Sequence, residues 1–381
     1  MQFHRGRRLL RSAIVALVLA TGTRAILPAC TSAANTSENG SESLAAGVRP
    51  FRQRVGHARP LIAVVGESAG TETTDYLIPY GVLSQSAVAD VIALGTRAGP
   101  ITMMPALKIL PQATIAEFNK RFPEGADYVI VPAVHNPDDT TLLEWVRLQS
   151  SRGAIIVGIC DGAWVVAKAG LLDGHRATGH WYSLDKLERT FRGTTWLRNR
   201  RYVDDGSVVT TTGVTASIPV SLALVEAIAG RDRAMKVARD VGATNWSPVH
   251  DSNNFKLNWT YRLTAAGNEL AFWSHETVDI PVAPGVDEIS LALVADAYSR
   301  TYRSQALTVS PSAATIRTRR GLDLIPDTIR DGAGRTDMKL ALGEKQLPVQ
   351  SLDGALEDIA RSYGRSTAAF VALQMEYTWP R

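Results

Sequence analysis

The chain has 381 residues, 45% of them apolar, enough for a buried core and for two or three domains. Its 41 basic and 37 acidic side chains leave a net charge of +4, much of it in Arg5, Arg7, Arg8 and Arg11, so the rest is near neutral and no broad nucleic-acid footprint is visible. There are two cysteines, Cys30 and Cys160, and with Cys30 in a leader a structural disulfide is not expected.

The four arginines precede the apolar run Ala13–Ala20, a basic then apolar order that reads as an export signal or anchor over residues 1–30. The run falls short of the roughly 20 apolar residues of a membrane span. Leu27-Pro28-Ala29-Cys30 resembles a lipobox with an atypical proline, so three fates stay open: lipidation at Cys30, retention as an anchor, or cleavage near Ala25 or Ala29. A leader without a targeting role is the bland alternative. The expected address is exported, periplasmic or attached to the cell envelope through the N-terminus. Residues 31–60 are rich in Ser, Ala, Asn, Glu and Gly without periodicity and read as a flexible linker.

Order is expected from Leu61-Ile62-Ala63-Val64-Val65, a run typical of a strand buried on both faces. A helix follows over about Asp75–Ser86, then strands at Ala89–Leu94 and Tyr128–Val131 and a helix at Leu142–Ser150. A strand at Ala154–Gly158, a helix at Ala163–Ala169, a strand at Val208–Thr211 and a helix at Ser217–Ala229 complete the alternation. Strands alternating with helices imply an α/β fold with a mostly parallel sheet sandwiched by helices. The divisions are a domain over 61–243 and a C-terminal α/β extension over 244–381. Within the extension, Asp287-Glu288-Ile289, Leu291–Tyr302, Ala306–Val309 and Leu322–Pro326 echo Asp75–Pro111. The echo reads either as a partial repeat of the first half or as a chance match of two βα units. One helix over about Leu352–Leu373 closes the chain.

Gly158-Ile159-Cys160-Asp161-Gly162 lies between a buried strand and a helix. A sharp strand-to-helix turn places the middle residue in a strained position, and glycines on either side admit close backbone neighbours. The helix N-terminus behind Cys160 should favour the thiolate, and N–H groups near Gly162 should hold an oxyanion. Gly158, Asp161 and Gly162 are therefore the candidate binding residues around a nucleophilic Cys160. Against this stands the buried free cysteine as ordinary core.

The block from Gly158 to Ala167, continued by Ala169-Gly170-Leu171-Leu172-Asp173-Gly174-His175 and Ala177-Thr178-Gly179-His180-Trp181, resembles the cysteine block of the ThiJ/PfpI superfamily, relatives of class I glutamine amidotransferases with a flavodoxin-like fold. It looks most like the branch of isonitrile hydratases and the sensor domains of AraC-type regulators. Arg201–Val214 resembles that branch's next block, and the likeness covers about Leu61–Ala243. The resemblance implies an acidic residue four before a proline, hydrogen-bonded to the thiol. Asp75 in Asp75-Tyr76-Leu77-Ile78-Pro79 fits, with Glu67 and Glu72 as rivals and a helix N-cap as the bland role. It also implies a histidine near the pocket, His180, as an acid or base or as packing beneath the site. The sequence departs from the branch at Asp161, where the hydratase type has threonine, and a carboxylate there opposes thiolate formation.

His135, His250 and His275 lack metal-ligand spacing, no phosphate-binding glycine loop is present, and no cofactor is expected. The His-x-Glu of an amidotransferase is missing, and no helix-turn-helix segment follows, so no nucleic-acid partner is expected. The resulting expectation is a cysteine-dependent enzyme, hydratase or hydrolase-like, acting on a small electrophile such as an isonitrile or carbonyl compound. The alternatives are an envelope ligand-binding or redox-sensing module without turnover, and an inert structural protein on the same fold. Family resemblance suggests a homodimer, unless the C-terminal segment covers that surface.

Overall fold

The computed structural model describes residues 47–53, 58–330, 337–343 and 346–379. The leader, Cys30 and most of the linker lie outside the described residues. Where the linker is described it packs: Arg49 forms a salt bridge with Asp204, and Phe51 donates its backbone N–H to Ala227 and lies against the Tyr128 ring.

A seven-stranded sheet runs in the order Tyr202–Asp204, Val208–Thr211, Ile155–Gly158, Tyr128–Val131, Leu61–Gly66, Asp90–Gly95, Ala113–Thr114. All neighbours are parallel except the first pair. The central strands are apolar throughout because helices cover both faces, and no alternation with solvent is needed. One face packs on the helices Thr73–Ser86 and Ser217–Ala229, the other on Thr140–Ser151 and Gly162–Lys168. This is the α/β sandwich with a mostly parallel sheet that the alternation predicted, and the flavodoxin-like fold that the resemblance implied.

The C-terminal region repeats the first half with one block removed. Strands Thr328–Ile329, Ser304–Ser310, Glu276–Pro281 and Met338–Lys339 form a parallel sheet. Their order matches Ala113–Thr114, Asp90–Gly95, Leu61–Gly66 and Tyr128–Val131 of the main sheet. The first three of these strands, the antiparallel hairpin Ile316–Arg317/Asp323–Leu324 and the helix Glu288–Ser299 each start 214 or 215 residues after their counterparts. The displacement corrects the register read from sequence. Asp287 answers to Glu72, since each caps its helix through a side chain that accepts backbone N–H groups, and Ser290 stands where the first copy has Asp75. The N-cap of the first helix is thus Glu72, not Asp75.

The two copies share one core, in which Tyr76 and Leu77 of the first join Leu291 and Tyr298 of the second. The single closing helix is two, Pro348–Tyr363 and Arg365–Gln374, broken at Gly364, whose φ of +89° is costly for any residue with a Cβ. The helices Arg231–Val241 and Trp259–Leu270 were not read from the sequence. No helix among the described residues is long and apolar enough to cross a membrane.

Candidate functional site: a buried thiol among carboxyl groups

Cys160 sits at the C-terminal end of strand Ile155–Gly158 with φ +56°. A non-glycine residue there costs about 1–3 kcal/mol, a strain retained where the surroundings enforce it. The surroundings do so tightly. The Cys160 N–H donates to Thr211 Oγ1 at 3.2 Å, the Gly162 N–H to the Ile159 carbonyl at 2.7 Å, and the Ala163 N–H to the Cys160 carbonyl at 3.3 Å. A Cβ on Gly162 would lie 2.0 Å from the Val131 carbonyl oxygen, and one on Gly158 would lie 2.9 Å from Val166 Cγ2. Both glycines therefore serve the packing of the elbow. The Gly162 N–H, expected to hold an oxyanion, is already engaged, and the Asp161 N–H is the one that points to the sulfur.

The electrostatics reverse the expectation of a thiolate. Burial pushes the Cys160 thiol well above its ordinary value, and Asp75, Asp161 and Glu72 push the same way; the Asp161 N–H opposes them. The short helix behind the elbow does not outweigh three carboxyl groups and the loss of water, with Cys160 only 5% exposed.

Asp75, from the first helix, is fully buried. Its Oδ2 accepts the Ala133 N–H at 3.1 Å, and its Oδ1 has no partner. The hydrogen bond to the thiol that the resemblance implied is not formed. Burial holds the Asp75 carboxyl well above the usual range, with Glu72 adding to the effect and the Ala133 N–H and Arg300 opposing it. The rival Glu67 is committed to its own loop, accepting the N–H groups of Ala69 and Gly70.

Asp161 is half-buried, with its Oδ1 out of reach of solvent. Its Oδ2 accepts from Ser183 Oγ at 2.9 Å and its Oδ1 has no partner. Burial raises its carboxyl and Glu376 adds to this, while His180 is the foremost opposing influence. His180 thus bears on Asp161 and not on the sulfur. Its Nε2 contacts the Gln374 carbonyl at 3.3 Å, and its ring lies at the Gly213 turn.

Two contributions from the C-terminal region were missed in sequence. Arg300 Nη2 donates to Glu72 Oε1 at 2.7 Å and its Nε to Asp296 Oδ1 at 2.8 Å. Burial works against this guanidinium, yet Asp296 and Glu72 hold its pKa above the ordinary arginine value, and the guanidinium lies within electrostatic reach of Cys160. Glu376, with φ +53°, accepts the Gly213 N–H at 2.6 Å and pairs with His250 Nε2 at 2.7 Å. One signal was available: Asp296 and the C-cap Arg300 are spaced i,i+4 at the end of a helix whose middle, Leu291–Ala295, is apolar throughout. The site is therefore a protonated thiol among the carboxyl groups of Glu72, Asp75 and Asp161, with Asp296 beyond them and one guanidinium between. Among the described residues, no group of three or more His, Cys, Asp or Glu is arranged to hold a metal ion.

A mostly parallel α/β sandwich with a cysteine at positive φ on the strand-to-helix turn, beside a buried carboxyl from the first helix, defines the class. The chain belongs to the DJ-1/PfpI family, whose model matches residues 62–227. It is 31% identical to the isonitrile hydratase of Pseudomonas putida over 163 residues, 42% of this chain and 68% of that enzyme. It is also 31% identical to the HTH-type transcriptional regulator CdhR of Pseudomonas aeruginosa over 120 residues, which cover 35% of that regulator. The solved structure of Drosophila melanogaster DJ-1beta aligns over 49% of this chain and 99% of its own, at 21% identity and a TM-score of 0.44.

Proposed function

We propose that the protein is a cysteine-dependent hydratase of small neutral electrophiles, with isonitriles as the leading substrate class. The observation that carries this is a strained thiol held protonated beside a buried carboxyl with a free oxygen. The isonitrile hydratase relative supports the substrate class. An apolar isonitrile loses little on entering such a site, whereas an anion would meet the carboxyl groups.

The thiol adds across the terminal carbon: sulfur bonds to carbon, and its proton passes through Asp75 to that same carbon. The product is a thioformimidate. Water then adds to the carbon and a proton to nitrogen. The C–S bond breaks, the thiol regains its proton, and an N-substituted formamide leaves. The net reaction joins one isonitrile and one water. Asp161, held by Ser183 and flanked by His180, is a second carboxyl group beside the sulfur, suited to holding that water.

The test is incubation of the full chain with an aromatic isonitrile, following formamide release. Turnover in wild type that vanishes in Cys160→Ser supports the reading. Wild-type protein that forms no formamide contradicts it. The near-complete burial of Cys160 favours a second reading, a ligand-binding or redox-sensing module without turnover. Tight isonitrile binding without product would select it. We further place the protein at the cell envelope, on the basic and apolar leader sequence. Fractionation that finds the chain wholly in the cytoplasm would contradict that placement.

A further inference from the structure

The helix Thr73–Ser86 packs against its counterpart Glu288–Ser299 so closely that a methyl group on Gly81 would lie 2.6 Å from Ile289 Cγ1. Beside them the two hairpins join edge to edge. Ile109 pairs with Leu324 and Leu110 with Asp323, antiparallel, and the Ile325 N–H reaches the Lys108 carbonyl. By the 215-residue displacement of this hairpin, Leu324 is the counterpart of Ile109. A residue paired with its own counterpart is what a two-fold axis produces, and an isologous interface between two chains has this form. Here both sides belong to one chain.

The second copy lacks the elbow, so the pseudo-dimer has one thiol. The charges around it are one-sided in the same sense. Arg300 reaches from the second copy into the first, onto Glu72 and towards Cys160. Its counterpart in the first copy is Gln85, which accepts from Arg320 and brings no charge to Asp287.

We propose that the second copy stands in for a partner subunit: it covers, in cis, the face on which another chain would pack, and it supplies Arg300 as the positioning residue of the Cys160 site. Arg300 pins Glu72, the cap of the first helix, and so sets where Asp75 stands one turn further on. It is also the cation that offsets the carboxyl groups of Glu72, Asp75 and Asp296 near the sulfur. This deepens the reading of Cys160 as the reactive group. Its test reads the thiol and not turnover, so the two can fail separately.

The experiment is the pH profile of Cys160 alkylation in the full chain, in Arg300→Gln and in Arg300→Lys, with sedimentation of the wild type. Loss of the guanidinium is expected to move the inflection up by about one pH unit, about tenfold slower alkylation at a fixed pH below it. Lysine should restore most of the wild-type profile. The wild type should sediment as a monomer. Because Arg300→Gln leaves Asp296 and Glu72 uncompensated, the double variant Asp296→Asn/Arg300→Gln, which is closer to charge-neutral, serves as the folded control and should show the same upward direction. Folded variants with a wild-type profile, or a wild type that sediments as a stable dimer, would overturn the inference. A shifted profile in a protein that turns over no isonitrile sinks only the hydratase proposal.

Discussion

The two copies are built alike and differ in what they carry. Both have a βα unit, a hairpin and a parallel sheet of the same strand order, and both cap the helix with an acidic residue, Glu72 or Asp287. Only the first has the elbow, a carboxyl at the Asp75 position, and a guanidinium arriving from the other copy. The second has Ser290 where Asp75 would be and keeps Asp287 bound to Arg319 and Arg320 of its own hairpin. A fold can thus be copied for its packing surface while the chemistry is confined to one half. The surface that remains useful is the one that closes the site.

The comparison breaks most visibly at its charged contacts. Arg300→Ala leaves Asp296 and Glu72 buried without their cation, and a loss of about 3–5 kcal/mol is expected in chemical denaturation. Gln85→Ala removes the counterpart side chain but leaves Arg320 its bonds to Asp287 and Glu288, so a loss of about 1 kcal/mol is expected. Equal losses at the two positions would show that the asymmetry carries no energy. Gly162→Ala places a methyl group against the Val131 carbonyl in the block that the second copy lacks, and should cost about 3 kcal/mol or more by the same measurement.

A smaller effect sharpens the comparison through pH. Because burial and Glu72 hold the Asp75 carboxyl above its usual range, the folded chain binds that proton more tightly than the unfolded chain. The associated stability is full at low pH and is lost as the pH climbs from the unfolded value, roughly 3.9, towards the raised folded one. Asparagine does not titrate. Asp75→Asn should therefore gain thermal stability relative to wild type as the pH rises above about 4 and differ little below it. A difference that does not change with pH would contradict a carboxyl held above its usual range by burial.

Much of the first copy was legible in sequence because its strands are short unbroken apolar runs bounded by turns, as in Leu61–Gly66 and Tyr128–Val131. The elbow was legible because two glycines flank a cysteine at a strand end. The charge state of the thiol was not, since it depends on groups that are distant in the chain. Local reasoning saw a helix N-terminus behind Cys160 and missed the carboxyl groups converging on it. Arg300 lies 140 residues from Cys160 and approaches it only through the pseudo-two-fold packing of the helices. The repeat was visible as an echo but misregistered, because Asp287 matched Asp75 in type while its structural role is that of Glu72.

The most direct measurement of the central claim is the pH at which Cys160 becomes reactive to alkylation in wild type and in Asp75→Asn. A thiol held protonated by burial and by carboxyl groups predicts an inflection above the ordinary cysteine value of about 8.5, moving down when Asp75 is replaced. An inflection at or below about 8.5 in wild type, unmoved in Asp75→Asn, would contradict it.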